Sequence, residues 1–89
     1  MTTLISFHQV DDVEHWLSSP KRDELFGPLG MTARAFRDPQ GSNWTALVME
    51  VPDVAAWHEA RQSDAGIAAM EFDRIRRETI VELEETQVR

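Results

Sequence analysis

From Leu4 to Val10 the chain alternates, setting Ile5 and Phe7 on one face of an extended segment and Leu4, Ser6, His8 and Val10 on the other. The spacing then turns helical: Val13, Trp16 and Leu17 fall on one side, with Asp11 or Asp12 placed to cap the helix. Pro20 interrupts it, and Ser19 as cap with Pro20 in the first turn predicts a fresh helical piece that carries Leu25 and Phe26 inward and stops at Gly27-Pro28 and Gly30. Thr32 to Arg37 reads as a second strand, Asp38 to Asn43 as a hairpin loop of turn formers, and Trp44 to Val51 as the clearest strand. Asp53 caps a second helical region with Val54 and Trp57 inward. Ser63-Asp64 and Gly66 predict a break in it, after which Ile67, Met70 and Phe72 continue an apolar face. Thr79 to Glu84 reads as a last strand and Glu85 to Arg89 as a frayed tail. The order β-α-β-β-α-β predicts an α+β, ferredoxin-like domain: a four-stranded antiparallel sheet with two broken helices on one face.

Two features sharpen that expectation. Val10-Asp11-Asp12-Val13-Glu14-His15-Trp16 is answered by Val51-Pro52-Asp53-Val54-Ala55-Ala56-Trp57, both reading V-x-D-V-x-x-W at a strand-to-helix junction. A strand end, an aspartate cap and a tryptophan pinning helix to sheet form one mechanical unit, used twice. The second feature is the third strand, apolar on both faces: Trp44, Ala46 and Val48 alternate with Thr45, Leu47, Met49 and Val51. Helices cover one face of a four-stranded sheet only, so the other predicts a homodimer packed sheet to sheet.

Composition narrows the function. The 89 residues suffice for one domain, spanning 1–89, and a core this small often gains from a partner subunit. The absence of cysteine excludes disulfides, thiolate nucleophiles and cysteine-based metal sites. A net charge of −7 argues against nucleic acid, and the basic cluster Arg74, Arg76 and Arg77 stands among Glu71, Asp73 and Glu78. Neither a secretory signal nor a membrane-spanning run is evident, which predicts a cytoplasmic location.

His8-Gln9-Val10-Asp11-Asp12-Val13-Glu14-His15-Trp16 resembles the H-x-V-x-D-x-x-x-W opening of small dimeric α+β barrel proteins. The Arg37-Asp38-Pro39 turn, the Val48 to Asp53 step, Ser63, Met70 and Glu78-Thr79-Ile80-Val81 extend the similarity from Ser6 to Glu84. That superfamily includes the antibiotic-biosynthesis monooxygenases and muconolactone isomerase-like proteins. The resemblance implies two ferredoxin-like subunits with facing sheets, each with a pocket between sheet and helices. The chain departs from the pattern where relatives carry a Gly-Val step before the last strand, having Asp73-Arg74-Ile75-Arg76-Arg77 instead.

His8, near working pH in its ordinary titration, is the candidate catalytic residue: a general base, or a group polarising a carbonyl. A structural role, bonding Asp12 across the strand end, is the alternative. Arg34 and Arg37 lie on opposite faces of their strand, so at most one points to a pocket, where it could grip a carboxylate or enolate. Trp44, just after the loop, is a candidate pocket wall or dimer contact, whereas Trp16 and Trp57 occupy ordinary core positions. His15 and His58 lack convincing ligand spacing, so no metal is expected. Glu82 and Glu84 share a face of the last strand and read as a charged edge. Three readings remain open: a protein binding a small, aromatic or other, molecule between sheet and helices; a cofactor-independent monooxygenase or lactone or enol isomerase with His8 as base; and a purely structural or regulatory homodimer. None requires a cofactor.

Overall fold

A computed structural model describes residues 1–88. Strand β1 (Thr2–Val10) lies at the centre of the sheet, pairing antiparallel with β3 (Trp44–Val51) on one side and β4 (Ile75–Glu84) on the other. Strand β2 (Thr32–Arg37) adds antiparallel to β3, giving the order β2-β3-β1-β4 of a ferredoxin-like α+β fold. Four short helices, α1 (Val13–Ser18), α2 (Lys21–Phe26), α3 (Val54–Gln62) and α4 (Asp64–Phe72), supply Trp16, Phe26 and Trp57 to a core against Leu4, Val10, Leu47, Met49 and Val51 of the sheet. Among the described residues no helix is long and apolar enough to cross a membrane.

The repeated junction is repeated in three dimensions. Asp12 and Asp53 both leave their strands in extended conformation, with φ of −143° and −138°, and each Oδ1 accepts the backbone N–H three residues on, from His15 and Ala56, at 3.1 Å. Val10 and Val51 are wholly buried beneath them. The capping choice left open between Asp11 and Asp12 is resolved because Asp11 is engaged elsewhere, its carboxylate accepting from Arg76 Nε at 2.8 Å.

Both helical regions break as expected. Ser19 Oγ accepts the Lys21 N–H, although the helical backbone begins one residue later than anticipated, with Pro20 at its cap. Ser63 ends α3 and starts α4, donating Oγ–H to the Ala60 carbonyl at 2.6 Å and accepting the Gly66 N–H at 3.1 Å. Phe72 departs from expectation: it lies at the surface, tilted against the His15 ring, with Lys21 Nζ 5.3 Å from its centroid.

The largest difference is in the last strand, which starts at Ile75 rather than Thr79. The charged stretch Arg76-Arg77-Glu78 hides this in sequence, because the pairing of Ile75 with Val10 is a tertiary contact. The turn before it survives without glycine: Arg74 takes φ of +58°, and its carbonyl accepts the Asp11 N–H at 3.0 Å. Of the tail, Glu85 to Val88 have no regular structure, and Arg89 lies outside the described residues.

Gly66 is fixed by space: a Cβ there would fall inside the shell of the Ala60 carbonyl oxygen and 2.7 Å from that of Arg61, both rigid backbone. Gly66→Ala should therefore destabilise the protein by roughly 1–3 kcal/mol despite alanine's better helix propensity. Urea unfolding checks this, and an unchanged or raised midpoint would contradict the tight α3–α4 turn.

Candidate functional site

The alternation of β1 carries His8 to the helix side of the sheet, where it is 3% exposed. Its ring meets Trp16 of α1 edge-on, centroids 5.5 Å apart at 77°. Its carbonyl accepts the Thr45 hydroxyl, but its Nε2 is buried with no hydrogen-bond partner among the described residues. The expected bond to Asp12 is absent, since that carboxylate caps α1. An unpartnered buried nitrogen is costly, on the order of 1–3 kcal/mol, so it calls for an explanation.

Opposite His8 the sheet is irregular. Phe7 pairs with Val81 but Gln9 pairs with Arg76, so His8 alone on β1 stands against Arg77, Glu78, Thr79 and Ile80 on β4. This bulge is held by a side chain acting as backbone: Thr79 Oγ1 accepts the Gln9 N–H at 2.8 Å and donates to the Arg76 carbonyl. Bulges commonly re-aim side chains beside functional sites. Here the bulge places Ile80 in the wall of a cavity of about 70 Å3 between sheet and helices.

The cavity is mostly apolar, walled by Trp16, Phe26, Leu47, Met49, Trp57 and Met70. Five ionisable groups also line it: His8, Lys21, Arg22, Arg61 and Asp73. Arg22, in the first turn of α2, donates to the Trp16 carbonyl at 2.9 Å and stacks over the Trp16 ring at 4.9 Å. Asp73, capping the end of α4, is 5% exposed, and its Oδ1 also has no partner among the described residues. Burial, and secondarily the Arg22 charge, lower the His8 pKa from 6.5 to about 4, so the imidazole is neutral at physiological pH. Burial pushes the Asp73 carboxyl upward, against the opposing pull of Ser19, Arg22, His15 and Lys21.

The other candidates lie elsewhere. Arg37 reaches Glu14 on the surface at 2.6 Å, and Arg34 lies on the open face of the sheet, its guanidinium 5.9 Å from the Phe36 ring. Trp44 is on that same open face, 43% exposed, beside Phe7 and Phe36 in a shallow depression. Glu82 is no simple charged edge: it accepts from Trp57 Nε1 at 3.1 Å, His58 Nε2 at 2.9 Å and Arg61 at 3.0 Å, tying α3 to β4. Among the described residues no group of three or more histidines, aspartates and glutamates is arranged to hold a metal ion. Arg22 and Asp73 were missed in the sequence. The signal available for them is helical spacing, Arg22 with Leu25 and Phe26 and Asp73 with Ala69 and Met70, on side chains whose charge ordinarily faces water.

The fold defines a ferredoxin-like α+β protein with a mostly apolar pocket between sheet and helices, into which ionisable groups are set. Its similarity to solved structures agrees. A crystal structure of an antibiotic biosynthesis monooxygenase superposes with a TM-score of 0.63 over 100% of both chains at 15% identity. A candidate antibiotic biosynthesis monooxygenase from Deinococcus radiodurans gives 0.55 over 100% of this chain and 94% of that one at 10% identity. These likenesses establish the ferredoxin-like α+β fold of the single chain. No protein-family model and no curated protein sequence matches the chain.

A histidine held neutral by burial makes stability depend on pH with a definite sign. The unfolded chain binds a proton at His8 near pH 6.5 and the folded one only near 4, so stability is full above 6.5 and falls as pH drops between the two. By pH 5 the loss from this group is about 2 kcal/mol. Asp73, raised from 3.8, acts oppositely, lowering stability as pH rises above its ordinary value. Comparison with His8→Gln isolates the histidine: the variant should lose less stability than wild type between pH 7 and 5 in urea titrations. Equal losses would contradict a buried neutral His8.

Proposed function

We propose that this protein binds a small, largely apolar molecule in the cavity between sheet and helices, with a hydrogen-bonding group of that molecule meeting His8 and Asp73. One observation carries the reading: His8 Nε2 and Asp73 Oδ1 are both buried, both lack a partner among the described residues, and both belong to residues lining one cavity. A site built to hydrogen-bond an absent molecule leaves such orphans, whereas a site built for stability alone would have filled the positions with apolar side chains. The tryptophans and methionines of the wall suit aliphatic or aromatic carbon.

A catalytic form of the reading takes His8 as general base. It is favoured by the free Nε2 on an imidazole that is neutral at physiological pH, and by Arg22 close enough for its charge to act on it. The low pKa makes His8 a weak base, which restricts it to protons that leave readily, such as those of an enol or phenol whose anion Arg22 would steady.

The working unit in this proposal is a homodimer joined through the open sheet face. Phe7, Phe36, Trp44, Val81 and Leu83 stand 37–53% exposed there, a cluster of large apolar side chains on one open face, which a second copy of the sheet would cover. Sedimentation equilibrium should give a dimer at micromolar concentration, and Phe7→Glu with Val81→Glu should yield a folded monomer. A wild-type monomer would sink this part of the account.

For the cavity, together with the adjoining groove that shares Arg61, Met70 and Ile80 with it, thermal shift with isobutanol, phenol and 4-methylphenol should raise the wild-type Tm for at least one compound. His8→Leu should be as stable as wild type or more so without ligand, yet lose that shift. No response in wild type, or equal responses in both proteins, would contradict binding at His8.

A further inference from the structure

We infer that the ligand extends beyond the inner cavity into the groove beside the β4 bulge and carries a carboxylate at that outer end, held by Arg77 and Arg61. This rests on the small-molecule reading above and adds the chemical class of the molecule.

The first argument is size. About 70 Å3 is space for roughly two water-sized groups, well below the order of 300–1,000 Å3 of small-molecule sites. Adjoining it is a groove of about 400 Å3 lined by Arg61, Gln62, Ile67, Met70, Arg77 and Ile80, with Glu82. Arg61, Met70 and Ile80 line both spaces, so a chain of carbon seated in the cavity leaves it past Met70 and Ile80 into the groove.

The second argument is charge. The one carboxylate in the groove, Glu82, is already engaged at both oxygens, Oε1 by His58 and Oε2 by Trp57 and Arg61. Arg61 gives NH1 to that pair, and Arg77 has no ion pair among the described residues. Arg61 and Arg77 both line the groove, and with Arg61 set against Glu82 the groove keeps one guanidinium in excess, that of Arg77, in a chain whose net charge is −7. A free guanidinium offers paired N–H donors that match a carboxylate. The molecule thus carries a hydrogen-bonding group at its inner end, for His8 and Asp73, and an anion at its outer end, with a short apolar stretch between.

Calorimetric titration with 6-hydroxyhexanoate and the uncharged 6-hydroxyhexanamide tests this in wild type and Arg77→Gln, a side chain with no ion pair to lose. The acid should bind wild type about five- to tenfold more tightly than the amide, and that preference should fall to twofold or less in Arg77→Gln. Equal binding of acid and amide to wild type, or a preference that survives in Arg77→Gln, would overturn the carboxylate assignment. If that happens while isobutanol or phenol still stabilises the protein through His8, only the outer site falls. If no compound binds at all, the inner reading falls with it.

Discussion

The candidate site depends on a broken ladder. Between Phe7 and Gln9 the central strand offers one residue to the four that β4 supplies, so the two strands cannot keep register opposite His8. A regular sheet would set Thr79 across from Gln9. Instead the threonine hydroxyl stands in for a backbone carbonyl, accepting the Gln9 N–H and keeping the break from leaving that donor unpaired. The four β4 residues of the break stand opposite a histidine that points inward, and Ile80 among them lines the cavity. The cavity, the free Nε2 and the adjoining groove all lie along this one irregularity.

Around it the scaffold is regular and built twice. At each strand-to-helix junction a buried valine ends the strand, an aspartate caps the helix and a tryptophan packs inward. The two tryptophans then diverge in use. Trp16 lies edge-on to His8 and accepts Arg22 at its carbonyl, so it shapes the site directly. Trp57 packs edge-on against Phe26 at 5.2 Å and donates to Glu82, fastening α3 across the sheet. One sequence unit thus performs two tasks, depending on what the opposite strand presents.

How much of this was legible in the sequence follows from the range of the interactions. Element order, the capping aspartates and both helix breaks depend on neighbours a few residues apart, and each could be read. The two faces of β1 were separable too, but with Ile5 and Phe7 on one and Leu4 and Val10 on the other, hydrophobicity gave no means of choosing which is buried. Helix placement decides it, and puts His8 inside. The start of β4 is hidden because Arg76-Arg77-Glu78 show no apolar alternation, while the partners of Arg76, Gln9 and Asp11, lie some 65 positions away in the chain. Arg22 and Asp73 were legible in spacing but not in chemistry, since ionisable side chains are seldom placed inside without a partner. Arg34, Arg37 and Trp44 stand in the ladder or on the surface away from His8, so the arginine beside the histidine comes from a helix rather than from the second strand.

The account turns on a histidine that is buried, neutral and unpartnered at Nε2 on the cavity wall. Nitrogen-15 NMR of the imidazole rings through a pH titration addresses this directly, with His8→Gln assigning its signals against those of His15 and His58. The account predicts that the His8 ring stays neutral through physiological pH and takes up its proton only near pH 4, or upon acid unfolding if that comes first. Protonation of the folded protein near pH 6.5, as for a solvated side chain, would contradict it.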